Sequence, residues 1–180
     1  MNKQRCSWAK SSLMMNYHDN YWGIPCHDDQ QLFELLTLET FQAGLSWEIV
    51  LKKQTAFEEA FDSFNIASVA HFSSQDVEHF LQNKQIIRNR QKINAMIHNA
   101  KVIQNLPCSF DHYLWQFTNN ITIKNHYQTY ADIPTKTPLS IKISQQMKKD
   151  GFKFTGPVVI QSFIEAAGLV NDHEINCFKY

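Results

Sequence analysis

Apolar positions recur at helical spacing through most of this 180-residue chain. Leu32, Phe33, Leu35, Leu36 and Phe41 return every three or four residues, the spacing that lines one face of an α-helix. Asp28 or Asp29 is placed to cap that helix and Gly44 to stop it. Ser46 opens a second helix with Trp47, Val50, Leu51, Phe57 and Phe61 as its apolar positions. Asn65 caps a short helix from Ile66 to His71. Ser73, with Asp76 three residues on, makes a capping pair for another that ends near Gln82. The segment Asn83 to Lys92 leads into a longer helix, reaching about Leu106, striped by Ile93, Met96, Ile97, Ala100 and Ile103. Ser109 or Asp111 begins a helix through Tyr113, Leu114 and Phe117. Thr137-Pro138 sets a cap before a proline at the first helical position, and that helix runs to Asp150, before Gly151. Thr155-Gly156-Pro157 opens the last helix, through Val158, Val159, Phe163 and Ala167, ended by Gly168.

Two stretches lack this period. Residues 1–27 read as an extended or turn-rich arm, or a short helix, laid over the rest. Residues 119–137, polar, holding Pro134 and followed by Pro138, read as a long connecting loop. No run of five or more residues alternates as a strand would. The pattern predicts an all-α protein, one domain over residues 1–180, with no internal repeat.

Composition narrows the function. Hydrophobic content of 43% and charge of 19% are ordinary for a soluble globular protein. The net charge is zero, so nucleic-acid binding would need a local basic face. No apolar run approaches the roughly 18–20 residues of a membrane span, and the N-terminus has no apolar signal region. The expectation is a cytoplasmic protein. Four cysteines without a CxxC pair argue against a disulfide framework.

The corner from Leu38 to Trp47 carries the sharpest chemical signal. Glu39 sits among apolar neighbours near the end of its helix, and Trp47 stands at the first turn of the next. A buried acid needs a partner, because burying an unpaired charge is costly. The partner is either a structural hydrogen bond or a polar or cationic ligand on which the ring stacks. Trp8, Tyr17 and Trp22 lie in the non-periodic arm, where a core role is harder to assign. His173 and Cys177 have a spacing compatible with metal binding, and Cys6 and His18 complete a possible Cys2His2 set drawn from both ends. Otherwise Cys6 is a small buried hydrophobe and the histidines are core or surface residues. Cys26 with His27 is a competing set, strained by adjacency. Arg88, Arg90 and Lys92, with Lys84, form a basic patch at a helix start, suited to a phosphate or simply solvated.

These pieces together resemble the DNA-3-methyladenine glycosylase I family, a branch of the helix–hairpin–helix glycosylases. The resemblance rests on Arg5, Cys6 and Trp8; on Tyr17-His18-Asp19-Asn20 with Trp22-Gly23; on Leu38-Glu39 with Gln42-Ala43-Gly44-Leu45-Ser46-Trp47; and on Leu51-Lys52-Lys53. Gly151 to Phe154, Gly156, Ser162-Phe163 and Ala167 to His173 complete it, so it spans nearly the whole chain. It implies a bilobed helical fold with the base pocket between the lobes. It implies a structural zinc on Cys6, His18, His173 and Cys177 that joins the two termini. It implies a monomeric, monofunctional repair enzyme that hydrolyses the N-glycosidic bond of 3-methyladenine in double-stranded alkylated DNA and leaves an abasic site. In that family Glu39 and Tyr17 would contact the polar edge of the flipped base, Trp47 would stack on it, and Trp22 and Trp8 would form pocket walls. Arg88 and Arg90 would meet the DNA backbone.

Two departures bear on this. The family commonly has glycine where Thr40 stands and a polar residue at Phe41, so pocket shape could differ. Gln85 replaces a glycine of the hairpin, which bears on the DNA grip. The competing readings are a non-catalytic, zinc-stabilised helical protein that binds DNA or a lesion, and a zinc hydrolase. Cys177 speaks against the hydrolase, because a fourth protein ligand closes the metal site.

Overall fold

The computed structural model describes residues 3–180; Met1 and Asn2, the first two positions of the N-terminal arm, lie outside the described residues. The arm contains a helix, α1 (Ser12–Asn20), capped by the Ser11 hydroxyl, which accepts from the Met14 amide. This helix carries Tyr17 and His18, both buried. Asp28 caps α2 (Asp29–Gln42), and its carboxylate accepts from the Gln31 amide at 2.9 Å. Asp29, the other candidate, accepts instead from the amides of Phe110 and Asp111, which fixes the start of a distant helix.

The helix expected from Ser46 to Phe61 is two: α3 (Trp47–Leu51) and α4 (Gln54–Ala60). The break falls at Lys53, whose φ and ψ of −110° and 2° are not helical. Its ammonium reaches the Lys84 and Gln85 carbonyls, the latter at 2.6 Å, so this lysine is a clamp and not plain surface. Ser46 precedes α3 in extended conformation but makes no side-chain capping bond. The next caps form as the spacing predicts. Asn65 caps α5 (Ile66–Ala70), and Ser73 with Asp76 makes a full capping box on α6 (Ser74–Gln82). Asn89 caps α7 (Arg90–Gln104), Ser109 caps α8 (Phe110–Trp115), and Thr137 caps α9 (Pro138–Lys149). Gly156 precedes α10 (Pro157–Ala166).

The polar connection after α8 is less irregular than its sequence suggests. It contributes β1 (Ile123–Lys124), which pairs in parallel with β2 (Val170–Asn171). A parallel bridge, Tyr127 to Glu174, continues the contact. Two-residue strands are too short to show an alternating pattern, so the sequence carries no trace of them.

The large core gathers residues from α2 to β2. A smaller buried cluster joins Cys6, Tyr17, Trp22, Leu51, Ala166 and Cys177, that is, both ends of the chain and the middle. No helix of the described residues is long and apolar enough to cross a membrane.

Candidate active site and terminal metal cluster

At the junction of the small cluster with α2 and α10 lies a cavity of about 140 Å³, lined by Trp8, Met14, Tyr17, Trp22, Glu39, Gln42, Trp47, Tyr130, Ser162 and Glu165. All five candidate pocket residues of the sequence are here. Glu39 comes from the last turns of α2, and Trp47 from the start of α3, after the chain reverses at Gly44. That glycine has φ of +84°, a conformation L side chains rarely adopt. Tyr17 arrives on α1, and its ring centre is 5.2 Å from that of Trp47. Trp8 and Trp22 meet edge to face at 5.1 Å.

Several polar groups of this cavity lack partners among the described residues. The Tyr17 hydroxyl and the indole nitrogens of Trp8 and Trp47 are buried without a hydrogen bond among the described residues. Glu39 is 4% exposed, and among the described residues no group donates to its carboxyl. Burial, with the charge of nearby Glu165 adding to it, pushes the Glu39 carboxyl well above its usual range. The acid is therefore held towards its neutral form until a cation enters, which would draw it back to the carboxylate. Buried polar groups are normally satisfied, so several unsatisfied ones around one space mark a ligand site.

The departures beside Glu39 point elsewhere. The Thr40 hydroxyl donates to the Leu36 carbonyl at 2.9 Å, within its own helix. The Phe41 ring packs on Phe57 and Phe61 in the large core. Neither residue lines the cavity.

Next to the cavity, and sharing no residue with its lining, the metal-binding atoms of Cys6, His18 and Cys177 all lie within 4.8 Å of one another. These three buried residues form a group able to hold a metal ion. Burial lowers the pKa of both His18 and His173, that of His173 to about 4, so the rings are in the neutral form a metal requires. His173 stands edge-on to His18 at 5.1 Å, and its Nε2 is buried with no partner. The surrounding contacts suit ligands. His18 Nδ1 pairs with Asp19 at 2.9 Å, and Asp19 is held by Arg5 through both carboxylate oxygens. His173 Nδ1 meets the Asn171 side chain at 2.9 Å. The Glu174 amide donates to the Cys6 sulfur, and the Lys179 amide to that of Cys177. Such outer contacts fix ligand rings and favour thiolates. Gly23 makes room for His173: at φ of +73°, a Cβ there would come within 2.6 Å of the imidazole. Cys26 and His27 are engaged with the Asp28 carbonyl and Asp111 and stand outside the group.

The basic patch divides. Arg88 is exposed and forms no salt bridge among the described residues. Arg90 is gripped by Glu78 through both guanidinium nitrogens. Lys92 is buried, and its ammonium donates to the Phe41 and Ala43 carbonyls at 2.9 and 2.7 Å. It caps the end of α2, where a cation suits the helix dipole, and so braces the turn beside Glu39. Gln85 does not have positive φ, and its amide donates to the Asn83 side chain at 2.9 Å, so the turn between α6 and α7 forms without glycine.

Sequence reasoning missed Glu165 and Tyr130 as cavity residues. Glu165 carried a readable signal, an acid inside the apolar run of α10, the same signal that singled out Glu39. Tyr130 carried none, since it lies in the polar connection. Its amide donates to Glu174, which also accepts from the amide and hydroxyl of Ser7. One carboxylate thus ties the arm, the connection and the tail beside the cavity.

Residues 8–180 match the methyladenine glycosylase family model. The chain is 41% identical to DNA-3-methyladenine glycosylase 1 of Escherichia coli (strain K12), covering 98% of this chain and 97% of that protein. A crystal structure of 3-methyladenine DNA glycosylase I superposes with a TM-score of 0.94 at 42% identity, over 97% of this chain and 98% of that one. The Staphylococcus aureus 3-methyladenine DNA glycosylase I, solved to show the structural basis of 3-methyladenine recognition, superposes at 0.91 with 37% identity, over 94% and 92%. Fold, cavity and likeness agree, and the chain belongs to the methyladenine glycosylase family.

Proposed function

We propose that this protein hydrolyses the N-glycosidic bond of 3-methyladenine in alkylated double-stranded DNA, and that the cavity at Glu39 receives the flipped base. The observation that carries the reading is the buried Glu39 carboxyl, to which no described group donates, set in one cavity with the unpartnered Tyr17 hydroxyl and Trp47 indole. Methylation at the ring nitrogen makes the base cationic. As the bond to the sugar breaks, its electron pair passes to the base and neutralises that charge, and water adds to the sugar carbon and releases a proton to solvent. Little protonation of the leaving group is needed. The chain must take the base out of the stack, hold it and exclude water from its edges. Trp47 stacks on the base, where a cation over an indole face gains attraction. Tyr17 and Glu39 meet its polar edge, and Trp8 and Trp22 close the sides. Glu39 favours a cation over neutral adenine, because its carboxylate is stable in this desolvated place only when a positive charge is beside it.

The turn at residues 83–89 serves as the hairpin on the DNA backbone, with Arg88 and Lys84 as cations that form no salt bridge among the described residues. Cys6, His18, Cys177 and His173 would hold a structural zinc, which supplies a cross-link between the chain ends and no step of the reaction. The unpartnered Nε2 of His173 supports its place as fourth ligand. We read the protein as a monomer of the cytoplasm. Incubation with methylated duplex DNA tests the function: free 3-methyladenine should be released, with an abasic site left and the strand uncut. Binding without release would favour the non-catalytic reading.

A further inference from the structure

The cavity holds a second acid that the reaction just described does not use. Glu165 stands in the last turn of α10, which packs against α2. It is 9% exposed, yet it lines the same cavity as Glu39 and Tyr17. Its Oε1 accepts from Gln161 Nε2 at 2.9 Å. Gln161 is itself fixed, because its side-chain oxygen accepts from the Thr137 hydroxyl at 2.8 Å and its nitrogen also lies 3.4 Å from Asp172. Among the described residues no other N–H group donates to Glu165. The carboxyl is also hydrogen-bonded to that of Asp172, and its acceptor capacity beyond these two contacts is left at the cavity wall. Anchoring Gln161 and Asp172 does not require the acid to face a cavity. Burial, with Asp172 beside it, pushes the Glu165 carboxyl up to about 8. Kept neutral, it offers an acceptor without adding a second full negative charge to the one at Glu39.

We propose that Glu165 is a specificity-determining residue that accepts a hydrogen bond from the exocyclic amino group of the flipped base, so that an N3-methylated purine bearing this group is chosen over one without it. The inference rests on the cavity being the base site. Its chemistry is the ordinary logic of polar discrimination: a ligand lacking the donor leaves a buried acceptor unpaired, whereas a ligand carrying it completes the wall. An apolar side chain at this position abolishes the distinction and still fills the space.

Affinity for the free bases reads this directly in the full chain. Glu165→Leu should weaken 3-methyladenine binding about tenfold, while changing the affinity for an N3-methylated purine without the amino group by less than about twofold. Glu165→Gln, which keeps an acceptor, should stay within about threefold of the parent for both. An unchanged preference between the two bases in Glu165→Leu would overturn the proposal. A second measurement does not depend on the leucine variant folding. In wild-type protein labelled at the glutamate carboxyl carbons, with signals assigned from Glu39→Gln and Glu165→Gln, saturation with 3-methyladenine should shift both resonances. A shift at Glu39 alone refutes the role of Glu165 and leaves the base site standing. No binding and no shift at either acid removes both.

Discussion

The cavity and the terminal cluster are neighbours built from the same arm, yet they treat polar groups in opposite ways. In the cluster almost every donor has an assigned companion: Asp19 for His18, Asn171 for His173, backbone amides for both sulfurs. In the cavity the hydroxyl of Tyr17, two indole nitrogens and the Glu39 carboxyl are left without one among the described residues. The first arrangement rigidifies, and the second stores a desolvation cost that only a ligand relieves. Trp22 and Trp8 are the seam. Their rings pack on His173 and His18, at 4.6 and 5.3 Å, while also lining the cavity. The stiff region therefore holds the walls of the unsatisfied one.

The contrast breaks most sharply at Glu39. Glu39→Gln should reduce 3-methyladenine excision by about a hundredfold or more, because the carboxylate that answers the cation is gone. Its melting temperature should hold or rise, since the amide is buried without the proton uptake that the acid needs on folding. Single-turnover base release alongside thermal melting decides it; a parallel fall of both would make Glu39 a structural group. Cys177→Ser should do the reverse. The loss of a metal ligand should lower the melting temperature by about 10 °C, while the rate per folded molecule changes little. Chelation of the parent protein should reproduce that shift, and metal analysis of protein purified without chelator should find zinc.

A smaller effect separates the two regions by pH. Glu165 binds its proton more tightly folded than unfolded, about 8 against an ordinary 4.5, so its contribution to stability is complete below that lower value and is lost as pH climbs towards 8. In metal-free protein His173 behaves oppositely: its value falls from 6.5 to about 4 on folding, and stability is lost as pH drops through that window. The folded protein should be most stable between the two limbs. Urea midpoints measured across pH should show Glu165→Gln flattening the alkaline limb and leaving the acid limb as it was. A variant that changes neither limb would show that the carboxyl titrates normally in the fold.

Much of this division was legible before the fold was known. Glu39 and Trp47 announced themselves because an acid inside an apolar helical face violates the pattern around it, and the helix caps at Asp28, Asn65 and Ser73 follow from local hydrogen-bonding chemistry alone. What was hidden depends on long-range approach. Lys92 reads as one more cation in a basic run, and only tertiary packing turns it back to close α2. Thr40 and Phe41 looked threatening to the pocket because they adjoin Glu39 in sequence, but successive residues on a helix point in different directions. Tyr130 reaches the cavity from a segment whose order comes from pairing with the C-terminal tail, and that pairing has no local signature.

The basic patch offers the gentlest test, because it asks whether the same reasoning extends to the DNA-facing surface. Among the described residues Arg88 has no carboxylate partner, whereas the Arg90 guanidinium is already paired with Glu78. If charge available to phosphate is what matters, Arg88→Ala should weaken binding to undamaged duplex about threefold and reduce the slope of binding against salt by about one. Arg90→Ala should change the slope less, since the pair it leaves behind was nearly neutral, and Glu78→Ala should strengthen binding by freeing Arg90. Equal losses for the two arginines would mean that DNA opens the Arg90–Glu78 pair. The surface would then resemble the cavity, with its partners exchanged on binding, more than the cluster, whose partners are fixed in advance.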